Sequence, residues 1–300
     1  MAEPILGVGL AALAAVAWAG QYVFVRLATV EGSTTDAVAV AIVCNVALVV
    51  PAALVFSEPA SIGGPTVVLA FVAAGLAGSL FGRLCQFRAV ETIGASRAAP
   101  VVASTALFSA AVAVAVLGET LTAPHVVGIV LVVGGVSYIS WTTATDPADP
   151  RPIREVGLSL ALPVLAALFF AVEPVLISWG LAAGAPVVSG LAIAAVAAAI
   201  GFFGYLAFTG GLPTPTRLAG PSLRWYVGGG VASTVALLAY FLALEVAPVV
   251  VVVPIVQVSP LVVLALSAAF LPRGLERVTW DLAVAAAVVV VGAVVVSVSG

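Results

Sequence analysis

The sequence predicts an all-α integral membrane protein with about ten transmembrane helices, arranged as two inverted five-helix repeats. Three observations lead there. First, 63% of the 300 residues are hydrophobic and only 8% are charged, with a mean hydropathy of +1.30. A soluble domain carries about 25% charged residues. Second, apolar runs recur along the chain, each near the ~20 residues that a helix needs to cross a bilayer. Such helices satisfy their own backbone hydrogen bonds, which lipid cannot do. The runs lack the alternating pattern of roughly ten residues that marks barrel strands. Third, the second half echoes the first. Glu91 and Glu245 are 245 − 91 = 154 apart, and so are Pro100 and Pro254, 254 − 100 = 154. Glu119 and Glu276 are 276 − 119 = 157 apart, as if about three residues were inserted near Pro272. A second copy at half the chain length is an internal repeat.

Taken in order, the helices are expected at 5–28, 37–56, 66–91, 95–117 and 124–141, then at 156–181, 185–208, 223–246, 249–271 and 279–298. The first run follows Met1-Ala2-Glu3-Pro4, which lacks the positive start of a signal peptide, so it is expected to be retained as a helix. The third closes at Ala89-Val90-Glu91, Gly94 turns the chain, and the fourth stops at Gly118-Glu119 with Thr122 three residues on. The second half repeats this as Ala243-Leu244-Glu245, Pro248, a valine-rich run and Leu275-Glu276-Arg277-Val278-Thr279. Most connections are a few residues, so consecutive helices are expected to be antiparallel neighbours. The exception, 142–155, is rich in Pro, Asp and Arg and reads as a linker between repeats 1–141 and 156–300. An odd number of helices per repeat makes the second enter from the opposite face. Inverted repeats of this kind build secondary transporters, with substrate near the midplane. Small residues mark close helix contacts: Gly78 and Gly82 form a GxxxG, and Gly128 and Gly135 have counterparts 157 residues on in Ala285 and Gly292.

Ionisable side chains inside such helices are rare, because even the lower scales assign about 2.5–3.5 kcal/mol to a central Arg or Asp. Glu173 lies in the sixth helix and is followed by Pro174, which removes a backbone donor. A carboxyl there is expected to bind a cation or exchange a proton; the plainer role is a structural carboxyl facing another helix. Arg83 lies in the third helix beside Gln86 and cannot shed its charge, so it must meet water, a partner or an anion. It is either an anchor for a substrate carboxylate or phosphate, or half of a structural pair. Arg88, nearer the helix end, is expected to pair with Glu91 or snorkel. Gln21 is the repeat counterpart of Glu173, 173 − 21 = 152. Counting along the helices puts Gln21 and Arg83 on one side of the midplane and Glu173 on the other, so two polar levels are expected rather than one Arg83–Glu173 bridge. Trp18, Tyr22, Phe87 and Tyr240 either line a cavity or simply pack. The candidate substrate-binding set is Gln21, Arg83 and Glu173 with Trp18, Tyr22, Gln86, Phe87 and Tyr240. Glu119 and Glu276 each precede Thr by three and are expected to cap or bond locally. His125, the lone histidine, is expected to be solvated, and Cys44 and Cys85 to be small buried hydrophobes.

The residues Trp18-Ala19-Gly20-Gln21 and Gly118-Glu119-Thr120-Leu121-Thr122, with Gly128, Gly135 and Ser259-Pro260, resemble the drug/metabolite transporter superfamily, specifically proteins with two EamA domains. The resemblance spans nearly the whole chain. It implies ten helices, a central cavity between the halves, and transport or export of small metabolites without ATP. Thr105-Ala106 in place of Ser-Pro, Ala19 in place of Gly, and Pro272-Arg273-Gly274 depart from the pattern.

The expected partners are a small-molecule substrate, the lipid bilayer and a coupling proton. No cofactor and no metal is expected, and no basic cluster exists for nucleic acid. An intramembrane enzyme is the weaker alternative. One histidine excludes HExxH, the chain has no lysine, GxSxG is absent, and Asp36, Asp146, Asp149 and Asp281 fall at helix ends or in a connection. A receptor or scaffold is the other, though no connection is long enough for a separate domain. Arg26, Arg97, Arg151, Arg154, Arg217, Arg224, Arg273 and Arg277 flank odd-numbered connections. The positive-inside rule then places those connections in the cytoplasm and both termini outside; the family resemblance implies the reverse.

Overall fold

The computed structural model describes residues 2–28, 32–57, 63–93, 98, 101–143, 161–214, 218, 220, 222–270 and 280–298. The linker beyond 143, Glu276, the insertion near Pro272, and Arg97, Arg151, Arg154, Arg217, Arg273 and Arg277 lie outside the described residues.

The described residues form helices in the expected order. They are α1 (Ala2–Ala28), α2 (Thr34–Phe56), α3 (Pro65–Ala74, continuing through Gly75–Gly82 and Arg83–Ile93), α4 (Thr105–Leu117) and α5 (Ala123–Thr143). The second half supplies α6 (Ala161–Ala182), α7 (Val187–Thr209), α8 (Leu223–Val246), α9 (Val249–Val256, then Ser259–Phe270) and α10 (Trp280–Val298). Six are long and apolar enough to cross a membrane; the rest are shorter apolar helices. Local chemistry sets their ends. The Ser33 hydroxyl caps α2 by accepting the Asp36 N–H at 3.0 Å. Pro65 opens α3, where a missing N–H leaves nothing unpaired.

Two irregularities were not expected. Gly75–Gly82 in the middle of α3 is π-helical, with i→i+5 bonding, a form that recurs at functional sites. Both α4 and α9 are preceded or interrupted by a break at the same place in each repeat. The Leu107 N–H reaches the Ser104 carbonyl at 2.9 Å, and the Leu261 N–H reaches the Val258 carbonyl at 2.9 Å. These pairs are related by 258 − 104 = 154 and 261 − 107 = 154.

Consecutive helices do not provide the main packing, contrary to the sequence expectation. Helix α1 lies along α8, and α6 lies along α3. Helix α2 packs on α8 and α7 on α3; α9 packs on α1 and α4 on α6; α5 pairs with α10, and α2 with α7. Exchanging each helix for its counterpart in the other half turns each of these contacts into another member of the set, except α5–α10 and α2–α7, which map onto themselves. The halves therefore interlock as a pseudo-twofold assembly. Short connections require helix ends to be close, but alanine and glycine faces decide where whole helices approach. At the α5–α10 crossing, a Cβ on Gly128 would meet the Gly292 carbonyl oxygen at 2.7 Å. A Cβ on Gly135 would meet the Ala285 carbonyl oxygen at 3.1 Å, the same contact seen from the other repeat.

Candidate substrate site

A cavity lies between α2, α3, α6, α7 and α8, and its lining reflects the repeat. Ala41, Ile42 and Asn45 of α2 face their counterparts Ala194, Ala195 and Ala198 of α7, each 153 residues on (194 − 41, 195 − 42, 198 − 45). Ser79 and Arg83 of α3 face Ser233 and Leu237 of α8, each 154 residues on (233 − 79, 237 − 83). A space lined by equivalent residues of both halves sits where the two repeats meet. Of the polar residues in the wall, three lack a like counterpart there: Asn45 stands against Ala198, Arg83 against Leu237, and Glu173 against Gln21, which is not in the wall. Charge is thereby confined to the quarter between α3 and α6.

The cavity is a narrow slot. Its empty space amounts to about 470 Å³, part of it open to solvent.

Glu173 reaches this space through a gap in α3. A Cβ built on Gly78 would overlap the Glu173 carboxyl group, so the carboxyl group holds this place because residue 78 has no side chain. One turn away a Cβ on Gly82 would lie 2.8 Å from the Phe170 ring, which locks α6 onto α3 at the same GxxxG. Gly78 is one residue from the midpoint of 65–93, so the carboxyl group sits near the centre of the bundle. Arg83, one residue past the π segment, lines the same cavity as Glu173. The two polar levels expected from counting along the helices are therefore joined in one cavity.

The other candidates divide. Tyr240 is 6% exposed, and its ring meets Trp18 edge-on at 5.2 Å between centroids. Gln21 is buried at 7% exposure, Gln86 is half-buried, and Phe87 packs against the core between α2, α3 and α7. Tyr22 is 56% exposed. None of these six is among the residues of the cavity wall. Arg88 donates to the Tyr205 hydroxyl of α7 at 3.4 Å.

Asn45 and Ser233 were missed. Asn45 is buried in α2 and bonds to α8: its Oδ1 lies 2.8 Å from the Thr234 hydroxyl and its Nδ2 3.5 Å from the Ser233 hydroxyl. An asparagine within the apolar run Val43–Leu48 was the signal that could have found it. Two further expectations are corrected. His125 is 3% exposed rather than solvated, with Nδ1 2.8 Å from the Thr122 hydroxyl. Glu119 does cap a helix, but not a local one: it accepts the N–H groups of Val249 and Val250.

Ten apolar helices in two interlocked halves, closing on a central cavity that holds an arginine and a glutamate, define a polytopic membrane protein of the transporter class. The chain belongs to the EamA-like transporter family, which matches residues 5–141 and 157–298. A solved structure described only as a crystal structure of a protein shares the fold, with a TM-score of 0.76, 17% identity, and coverage of 98% of this chain and 96% of that one. No curated protein matches the chain.

Proposed function

We propose that this protein is a secondary transporter of small metabolites that works by alternating access, takes small organic anions such as amino acids, and is coupled to protons. The observation that carries the reading is that Arg83 of the first half and Glu173 of the second line one cavity where the repeats meet. Inverted repeats rocking about a fixed central site supply the mechanism. Arg83 presents a planar, permanently charged fork suited to a carboxylate. Glu173, beside it, takes either a substrate ammonium group or a proton, and Ser79, Ser233 and Asn45 supply hydrogen bonds. Leu237 and Phe241 form an apolar wall for the rest of the molecule.

Counterflow in proteoliposomes tests this directly. Vesicles loaded with unlabelled amino acids or small carboxylic acids should take up labelled substrate against its gradient. Binding without exchange for every substrate class would favour the receptor reading.

A further inference from the structure

We propose that Glu119 is a latch that holds the two halves together on the face carrying both termini, and that it releases when that face opens. The inference rests on the alternating-access reading above. Glu119 Oε1 accepts the Val249 N–H at 2.8 Å, and Oε2 accepts the Val250 N–H at 2.9 Å. The carboxylate thus binds the N-terminus of α9 from 130 residues away, in the opposite half. The first N–H groups of any helix lack intrahelical partners, and a negative charge there also meets the favourable end of the helix dipole. Pro248 precedes α9 and makes no side-chain cap, so Glu119 fills a role that the helix does not fill for itself.

The local chain is built to aim it. Gly118 ends α4 in the left-handed region, φ 69°, which turns the backbone out of the helix at the one residue type that adopts this without strain. The Glu119 N–H closes back on the Ala113 carbonyl at 3.4 Å, and Thr122 is tied to His125. On the same face Gly7 of α1 packs against Ala247 so closely that a Cβ would collide. Ala247 and Pro248 form the whole connection from α8 to α9, and α8 supplies Leu237 and Phe241 to the cavity wall. Displacing the start of α9 therefore pulls on the cavity itself. These two bonds tie the connection between α4 and α5 to the start of α9, beside the Gly7–Ala247 contact, and opening of this face would part them.

The test uses the full-length protein in membranes, with Cys44 and Cys85 replaced by alanine and a single cysteine introduced as Ser79→Cys in the cavity wall. A membrane-impermeant maleimide is applied from each face. Glu119→Ala should raise labelling from the termini face roughly fivefold, the shift given by the ~1 kcal/mol of a lost cap, and lower it from the other face. If Glu119→Ala does not fold, Glu119→Gln, which keeps one acceptor oxygen, should shift labelling in the same direction by less. Unchanged labelling from both faces in a folded variant, with only a lower Tm, would overturn the latch and leave a static cap. The readout needs no substrate. Failure of counterflow in the unmodified protein alongside a clear labelling shift would count against the transport reading alone.

Discussion

Gly78 of α3 and Glu173 of α6 occupy one space: the hydrogen in place of a side chain on Gly78 is what admits the carboxyl group to the cavity. The repeat counterpart of Gly78 is Ala232, 232 − 78 = 154, beside the helix that carries Gln21.

Gly78→Ala should therefore displace Glu173 and impair transport, with a stability loss in the range of about 1–3 kcal/mol typical of overpacking. Shortening the partner should relieve it. In a Glu173→Ala background, adding Gly78→Ala should cost little further stability, read as Tm in a double-mutant cycle. Additive losses would show that Gly78 acts elsewhere.

Arg83→Leu should reduce substrate exchange by at least roughly tenfold, as expected when the charged partner of a buried anion is removed. Arg83→Lys should fall between, because an ammonium group lacks the planar fork. Exchange measured in proteoliposomes at matched expression checks both. Normal kinetics in Arg83→Leu would remove Arg83 from the binding site.

Glu173→Gln matches the second half to the Gln21 of the first and removes a titratable group from the cavity. The pH dependence of net transport should flatten, while substrate exchange, which needs no net proton movement, should persist. Both activities unchanged, with the pH profile intact, would make Glu173 a structural residue.

Orientation should follow the arginine distribution. Leu212, in the connection after α7, should be shielded from an impermeant maleimide in intact cells once changed to cysteine, and Ala183, after α6, should be accessible. The opposite pattern would place both termini in the cytoplasm.

The sequence by itself determined the helices, their count and their pairing across repeats. Helix-length apolar runs and offsets of 152, 154 and 157 are one-dimensional properties, readable without knowing which helix touches which. Arg83 and Glu173 stood out for the same reason, since a charge in an apolar run is costly wherever the run packs. What the tertiary structure decided is proximity. That α1 lies along α8 and not α2 depends on complementary faces of alanine and glycine 200 residues apart, and no short-range signal encodes it. That Arg83 and Glu173 line one cavity, with the Glu173 carboxyl group against Gly78, depends on how α6 packs on α3, and the grip of Glu119 on α9 follows a left-handed glycine. Asn45 went unread because an uncharged amide in a hydrophobic run becomes conspicuous only when Thr234 and the cavity are seen beside it.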